Sequence, residues 1–361
     1  MNARERIEAA LLNRPLDRIP FCPFLAYVWE SFPEAERAGG ALAFHHRIGA
    51  DPLWRGAACP VKVIQPPGAT TATDKSADWV RHATSTPVGS ISWSSRLSPD
   101  GNTWFLQEHP LKTEEDYKIL LWIEEHYRFE LDLEPVHKHL AGDGAEGLTV
   151  FQLLPFGKSA FQQLVEHFCG TVELQYALAD FPGTVETLWR TMAANRLRCA
   201  EIAAGSPGDW FLTWEDSSTQ NYSPAQYKQF IGEEIRGWTR VLHAAGKRYM
   251  QHACGHVRDL VPLMREDGID AVESLSPLPT GNLTLAEARR LAGPLPIVGG
   301  IEPVHFLQLA DRAFDRYVEQ VLEDGTRGGP FVLANSDSCP PGVTPARFAR
   351  AAAIARSWLK E

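Results

Sequence analysis

The chain has no apolar run long enough to cross a bilayer; its longest hydrophobic stretches are short, strand-length pieces. Its opening stretch, MNARERIEAALLNRPLDRIP, is studded with charge and lacks a secretory apolar block, which points to a cytoplasmic protein. A basic stripe is missing too. With 35 basic against 45 acidic residues the formal charge is -10, which argues against a nucleic-acid surface. No glycine-rich phosphate fingerprint follows any strand-like segment, and there is no internal repeat or low-complexity tract.

Cysteine is sparse: Cys22, Cys59, Cys169, Cys199, Cys254 and Cys339. In a reducing compartment and a chain this long they do not form a disulfide frame, so each is a buried small hydrophobe, a ligand or a nucleophile. An apolar fraction of 44% against 22% charged residues excludes extended disorder. A chain of 361 residues can build one large α/β barrel or two ordinary domains.

The segment NARERIEAALLN spaces Ile7, Ala10 and Leu11 as a helix with Asn2 as its cap. RIPFCPF reads as a short strand. Residues 61 to 110 break into β-prone pieces parted by Gly, Pro, Asp and Ser, predicting a hairpin excursion. From about residue 148 strands and helices alternate through six units: GLTVFQLL, DWFLTW, KRYMQHA, GIDAVES, LPIVGG and PFVLANS, each with a helix behind it. The last of these helices is predicted from Pro345 to Leu359. Earlier strands near 19–24 and 52–64 bring the total to eight. The expectation is a single-domain (β/α)8 TIM barrel over residues 1–361, with an N-terminal helix and the hairpin excursion near 61–110. An open doubly wound sheet is the alternative.

Parallel barrels carry their chemistry at the C-terminal ends of strands. Those ends hold Gln152, the adjacent Glu215 and Asp216, His252 with Cys254, Glu273, Glu302, and Asp337 with Cys339. Residues i and i+2 at a strand end turn to one side, so His252 and Cys254 form half of a zinc site, or are simply polar residues that fall there. Cys339 ends the last strand, where barrel closure brings it toward the mouth. One His and two Cys make a catalytic zinc set with one position open. Glu215 and Asp216 are candidate catalytic carboxylates, able to orient a substrate or move a proton; Asp216 or Ser217 could equally organise the loop before the Ser223–Pro224 helix start. Glu273 reads as a fourth metal ligand displaced by substrate, as a partner for the His252 imidazole, or as a cap ahead of SLSPLP.

RERIEAALLNRPLDRIPF, WEDSSTQNYSP, HACGHVRDLVPLMREDGIDAVES, GGIEP and GPFVLANSDSCPPGVTP together resemble the uroporphyrinogen decarboxylase superfamily, most densely from about 209 to 347. The resemblance implies a (β/α)8 barrel. Its heme-pathway branch needs no metal and anchors propionates with N-terminal arginines. Here the segment after Pro20 is FCPFLAYVWES, without that arginine motif. The other branch comprises zinc-dependent methyltransferases that work with corrinoid proteins, and its His-x-Cys and distant Cys match His252, Cys254 and Cys339. It implies Zn2+ and a corrinoid carried by a separate corrinoid-binding protein. The substrate would be a small-molecule methyl acceptor or donor (a thiol, tetrahydrofolate or a methylated compound), with no nucleic-acid or membrane partner. The competing expectation is a metal-free carboxy-lyase working through Glu215 and Asp216.

Overall fold

Seven parallel strands form one curled sheet, in chain order from edge to edge: Leu53–Arg55, Leu148–Gln152, Trp210–Trp214, Arg248–His252, Ala271–Leu275, Ile297–Ile301 and Phe331–Asn335. The computed structural model describes residues 1–99, 101 and 103–358. Residues Pro20 to Cys22 stand between the two edges. Phe21 bridges Leu333 in parallel, with Cys22 N–H donating to Leu333 O at 2.8 Å and Leu333 N–H to Pro20 O at 3.1 Å. On the other side Asp51 N–H donates to Phe21 O at 2.8 Å, just ahead of the Leu53–Arg55 strand. The expected eighth strand is thus a single bridge, and it closes a (β/α)8 barrel. Prolines at 20 and 23 remove two ladder donors, which keeps it that short.

The interior of the barrel is a compact apolar plug. Leu148 and Val150, Trp210 and Leu212, Met250, Ala271, Val298, Val332 and Ala334 meet there in the i, i+2 pattern of inward-facing positions. Ile7, Ala10 and Leu11 of the Ala3–Leu11 helix join the same cluster and stop the N-terminal end of the barrel. Asn2 caps that helix in a reciprocal box with Glu5, as expected. Similar boxes start the helices behind Ser223 (with Gln226) and Thr284 (with Glu287). Outward-facing Phe151, Phe211, Tyr249, Val272 and Ile297 pack under the helices.

The strand expected over 52–64 divides. Leu53–Arg55 stays in the barrel, whereas Val61–Ile64 leaves it to pair antiparallel with Arg128–Leu131. Thr70–Lys75, Trp79–Thr86, Gly89–Leu97 and Trp104–Glu108 then form the expected excursion, a four-stranded antiparallel sheet. The helix expected behind Ile297–Ile301 is two, His305–Gln308 and Asp311–Thr326. The last helix runs Pro345–Ser357, and Leu359 lies outside the described residues. No helix among the described residues is long and apolar enough to cross a membrane.

Candidate metal centre at the barrel mouth

Strand register builds the centre. His252 pairs with Trp214 on one side and Glu273 on the other, so these three inward-facing residues stand level at the C-terminal end of the barrel. Glu273 Oε2 lies 2.6 Å from His252 Nδ1, and its second oxygen lies 2.8 Å from Arg55 Nε, at the end of the Leu53–Arg55 strand. With Nδ1 taken, His252 Nε2 faces the mouth, 3.2 Å from Asp216 Oδ1. Cys254 Sγ donates to the same Asp216 oxygen at 3.3 Å. Donor atoms of Asp216, His252 and Cys254 all lie within 4.8 Å of one another.

The loops that carry Asp216 and Cys254 must touch for this to happen. A Cβ on Gly255 would stand 2.5 Å from Ser218 Cβ, so only glycine lets the two loops meet. His256 N–H then donates to Ser218 Oγ at 3.1 Å, and Thr219 N–H to His256 O at 2.9 Å. Asp216 itself takes a left-handed φ of 43°, strained for a non-glycine residue. Strain of this kind is stored where a side chain must be aimed.

The structure treats the two adjacent carboxylates differently, because neighbouring residues at a strand end point to opposite sides. Asp216 faces the mouth. Glu215 is fully buried and points away from it, accepting Ser159 N–H at 2.9 Å and Ser159 Oγ–H at 2.6 Å. Burial raises the Glu215 carboxyl above its ordinary value. Its contact fixes the turn that carries Lys158, whose ammonium binds Asp216 Oδ2, Glu166 Oε2 at 2.7 Å and Trp214 O at 2.7 Å. Glu166 sits on a five-residue π turn, Leu164–Phe168, and burial pushes it up to about 7 against the pull of Lys158.

The electrostatics favour a cation at this spot. Burial opposes the charge on His252, but the Glu273 carboxylate and hydrogen bonds to Asp216 and Cys254 outweigh it and hold the imidazolium well above its ordinary range. Burial also works against ionised Asp216, yet the hydrogen bond to His252 and the Lys158 charge bring it below the usual carboxylate range. The Cys254 thiol is pushed up to about 12 by burial, so it is protonated without a further cation.

Cys339 is placed apart from this group. Its side chain is buried in the main core, and burial, then the charges of Asp337 and Glu302, raise its thiol. Its loop nonetheless belongs to the mouth. Asp337 and Ser338 line the same cavity of about 470 Å³ as His252, Asp216 and Lys158, together with Phe24 and Trp214. Glu302 is buried beside this loop and holds Thr280 Oγ at 2.7 Å.

Two participants were missed in the sequence, Arg55 and Lys158. Arg55 ends a barrel strand, so the strand-end rule would have found it had the three-residue strand been recognised. Lys158 has no such signal, since it reaches the site from a loop six residues beyond Gln152.

Residues 190–358 match the family model described as Uroporphyrinogen decarboxylase (URO-D). No curated protein matches the chain in sequence. Among solved structures, a methyltransferase from Methanosarcina mazei is similar along 100% of both chains, at 14% identity and a TM-score of 0.63. A B12-independent methionine synthase from Shewanella sp. W3-18-1 is a looser likeness: 10% identity, 88% and 85% coverage, TM-score 0.44. The first is a likeness of fold, which agrees with the barrel; the second is too distant to add to it. The family model covers Asp216, His252, Cys254, Glu273 and Cys339, and over residues 190–358, just under half of its length, the chain is similar to the uroporphyrinogen decarboxylase family.

Proposed function

We propose that the protein is a zinc-dependent methyltransferase, moving a methyl group between a corrinoid on a separate protein and a small molecule activated at the barrel mouth. The observation that carries this reading is the convergence of imidazole, thiol and carboxylate donors within 4.8 Å at that mouth. His252 and Cys254 would hold Zn2+, and Cys339 would complete the set by turning its side chain out of the core toward the cavity that its loop lines. The donor set fits the ion: nitrogen and sulfur are its usual ligands, and the Asp216 carboxylate stands beside them.

Zinc there would supply a lowered thiol pKa, making a thiolate available as methyl acceptor near neutral pH, or would polarise a methylated donor. The chain's own residues do the rest. Glu273 and Arg55 fix the imidazole so that Nε2 alone faces the cavity. Phe24 and Trp214, stacked with centroids 5.8 Å apart, give the small molecule an apolar wall. Glu215 and Ser159 hold the turn behind Lys158. Exposed Tyr27, Leu278 and Leu307 lie on segments that follow strand C-terminal ends, and they offer an apolar rim for the corrinoid-bearing partner. A metal-free carboxy-lyase would work through Glu215 and Asp216; Glu215 is walled in by Ser159, which leaves that reading only Asp216 at the cavity.

Metal analysis of protein never exposed to chelator tests the proposal. About one equivalent of zinc is expected in the wild type, and Cys339→Ala should lose it while keeping its circular dichroism. Less than about a tenth of an equivalent in the wild type would sink the proposal.

A further inference from the structure

We infer that Asp216 is the displaceable oxygen ligand of the metal and that Lys158 is the positioning residue that keeps it displaceable; this rests on the zinc reading above. Two carboxylates touch His252, and they are held in opposite ways. Glu273 is locked: one oxygen is on Nδ1 at 2.6 Å, the other beside Arg55 Nε at 2.8 Å, and the side chain is buried. Asp216 is divided. Its Oδ1 stands 3.2 Å from His252 Nε2 and 3.3 Å from Cys254 Sγ, facing the point those two donors share. Its Oδ2 is on the Lys158 ammonium.

Lys158 has three N–H donors and spends all of them, on Asp216, on Glu166 at 2.7 Å and on Trp214 O at 2.7 Å. It therefore has none left for a substrate anion, and its effect falls on Asp216. Trp214 and Asp216 belong to one strand end, so Lys158 fixes the direction of that carboxylate from two sides. A cation on the far oxygen also withdraws charge from the near one. Beside an imidazole and thiolates, the shared carboxylate is the weakest donor of the set. An incoming thiol would take the place of Asp216 as its thiolate, giving up its proton to solvent, while Lys158 would keep the freed carboxylate charge-paired.

Zinc affinity by chelator competition and thiol binding to the cobalt(II)-loaded protein test this, with 2-mercaptoethanol as the probe. Asp216→Asn is expected to weaken zinc binding roughly tenfold or more. Lys158→Met should keep its zinc but need about tenfold more thiol to develop the sulfur-to-cobalt charge-transfer band, because Asp216 then competes harder. Lys158→Arg should behave as wild type. If Lys158→Met does not fold, Lys158→Gln replaces it with the same expectation. Unchanged zinc affinity in Asp216→Asn, or wild-type thiol uptake in the neutral Lys158 variant, overturns the inference. A wild type that holds zinc alongside either result defeats this inference alone, whereas a wild type that binds none defeats the proposed function as well.

Discussion

Glu273 Oε2 stands 2.6 Å from His252 Nδ1, on the strand whose register sets the two residues level. The other Glu273 oxygen lies against Arg55, so a buried carboxylate stands between a guanidinium and an imidazole carried by two other strands. Such a chain fixes both the tautomer and the plane of a metal-binding ring. Glu273→Gln is therefore expected to lower zinc affinity about 10–100-fold without changing the metal stoichiometry, as read by chelator competition. A variant that binds no zinc at all would instead make Glu273 a ligand.

Barrel closure depends on Asp51. Its buried carboxylate takes Arg6 at 2.6 Å and Arg18 at 2.7 Å, while its N–H bonds Phe21 O. Asp51→Ala leaves buried guanidinium charge behind and should cost about 3 kcal/mol in urea unfolding, at the low end for a broken buried pair. The low end applies because Arg6 keeps Asp17 at 2.7 Å. A loss under about 1 kcal/mol would show that the bridge at Phe21 closes the barrel without this charge network.

Glu234 sets a pH dependence of stability. Its carboxyl takes Ala160 N–H at 3.0 Å and Trp189 Nε1–H at 3.2 Å, but burial dominates and pushes it from 4.5 up to about 8. The folded chain thus holds this proton more tightly than the unfolded chain does. The stabilisation is complete below pH 4.5 and is lost as pH rises toward about 8. Thermal midpoints recorded across that interval should fall in the wild type and fall less in Glu234→Gln. Parallel curves for the two proteins would remove Glu234 as the cause.

The second half of the chain was readable because its elements announce themselves locally. Val150, Leu212 and Met250 alternate with outward Phe151, Phe211 and Tyr249, and capping boxes at Ser223 and Thr284 mark helix starts. The first half was harder to read. Val61–Ile64 looks like a continuation of Leu53–Arg55, and only its pairing with Arg128–Leu131, from beyond the whole excursion, assigns it elsewhere. A strand's own composition does not say which partner it will find.

At the mouth, chain order alone placed His252 and Cys254 at one strand end and Asp216 at another, since i, i+2 alternation and strand–helix rhythm are properties of contiguous residues. Folding decided the chemistry of each. It turned Asp216 into the mouth and Glu215 into the wall, set Glu273 behind His252 by register, and brought Lys158 and Arg55 in from other loops and strands. The physical reason is that charge, burial and hydrogen-bond partners depend on neighbours distant in sequence. For the same reason Cys339, so close in pattern to its expected partners, takes its surroundings from the core beneath the last strand.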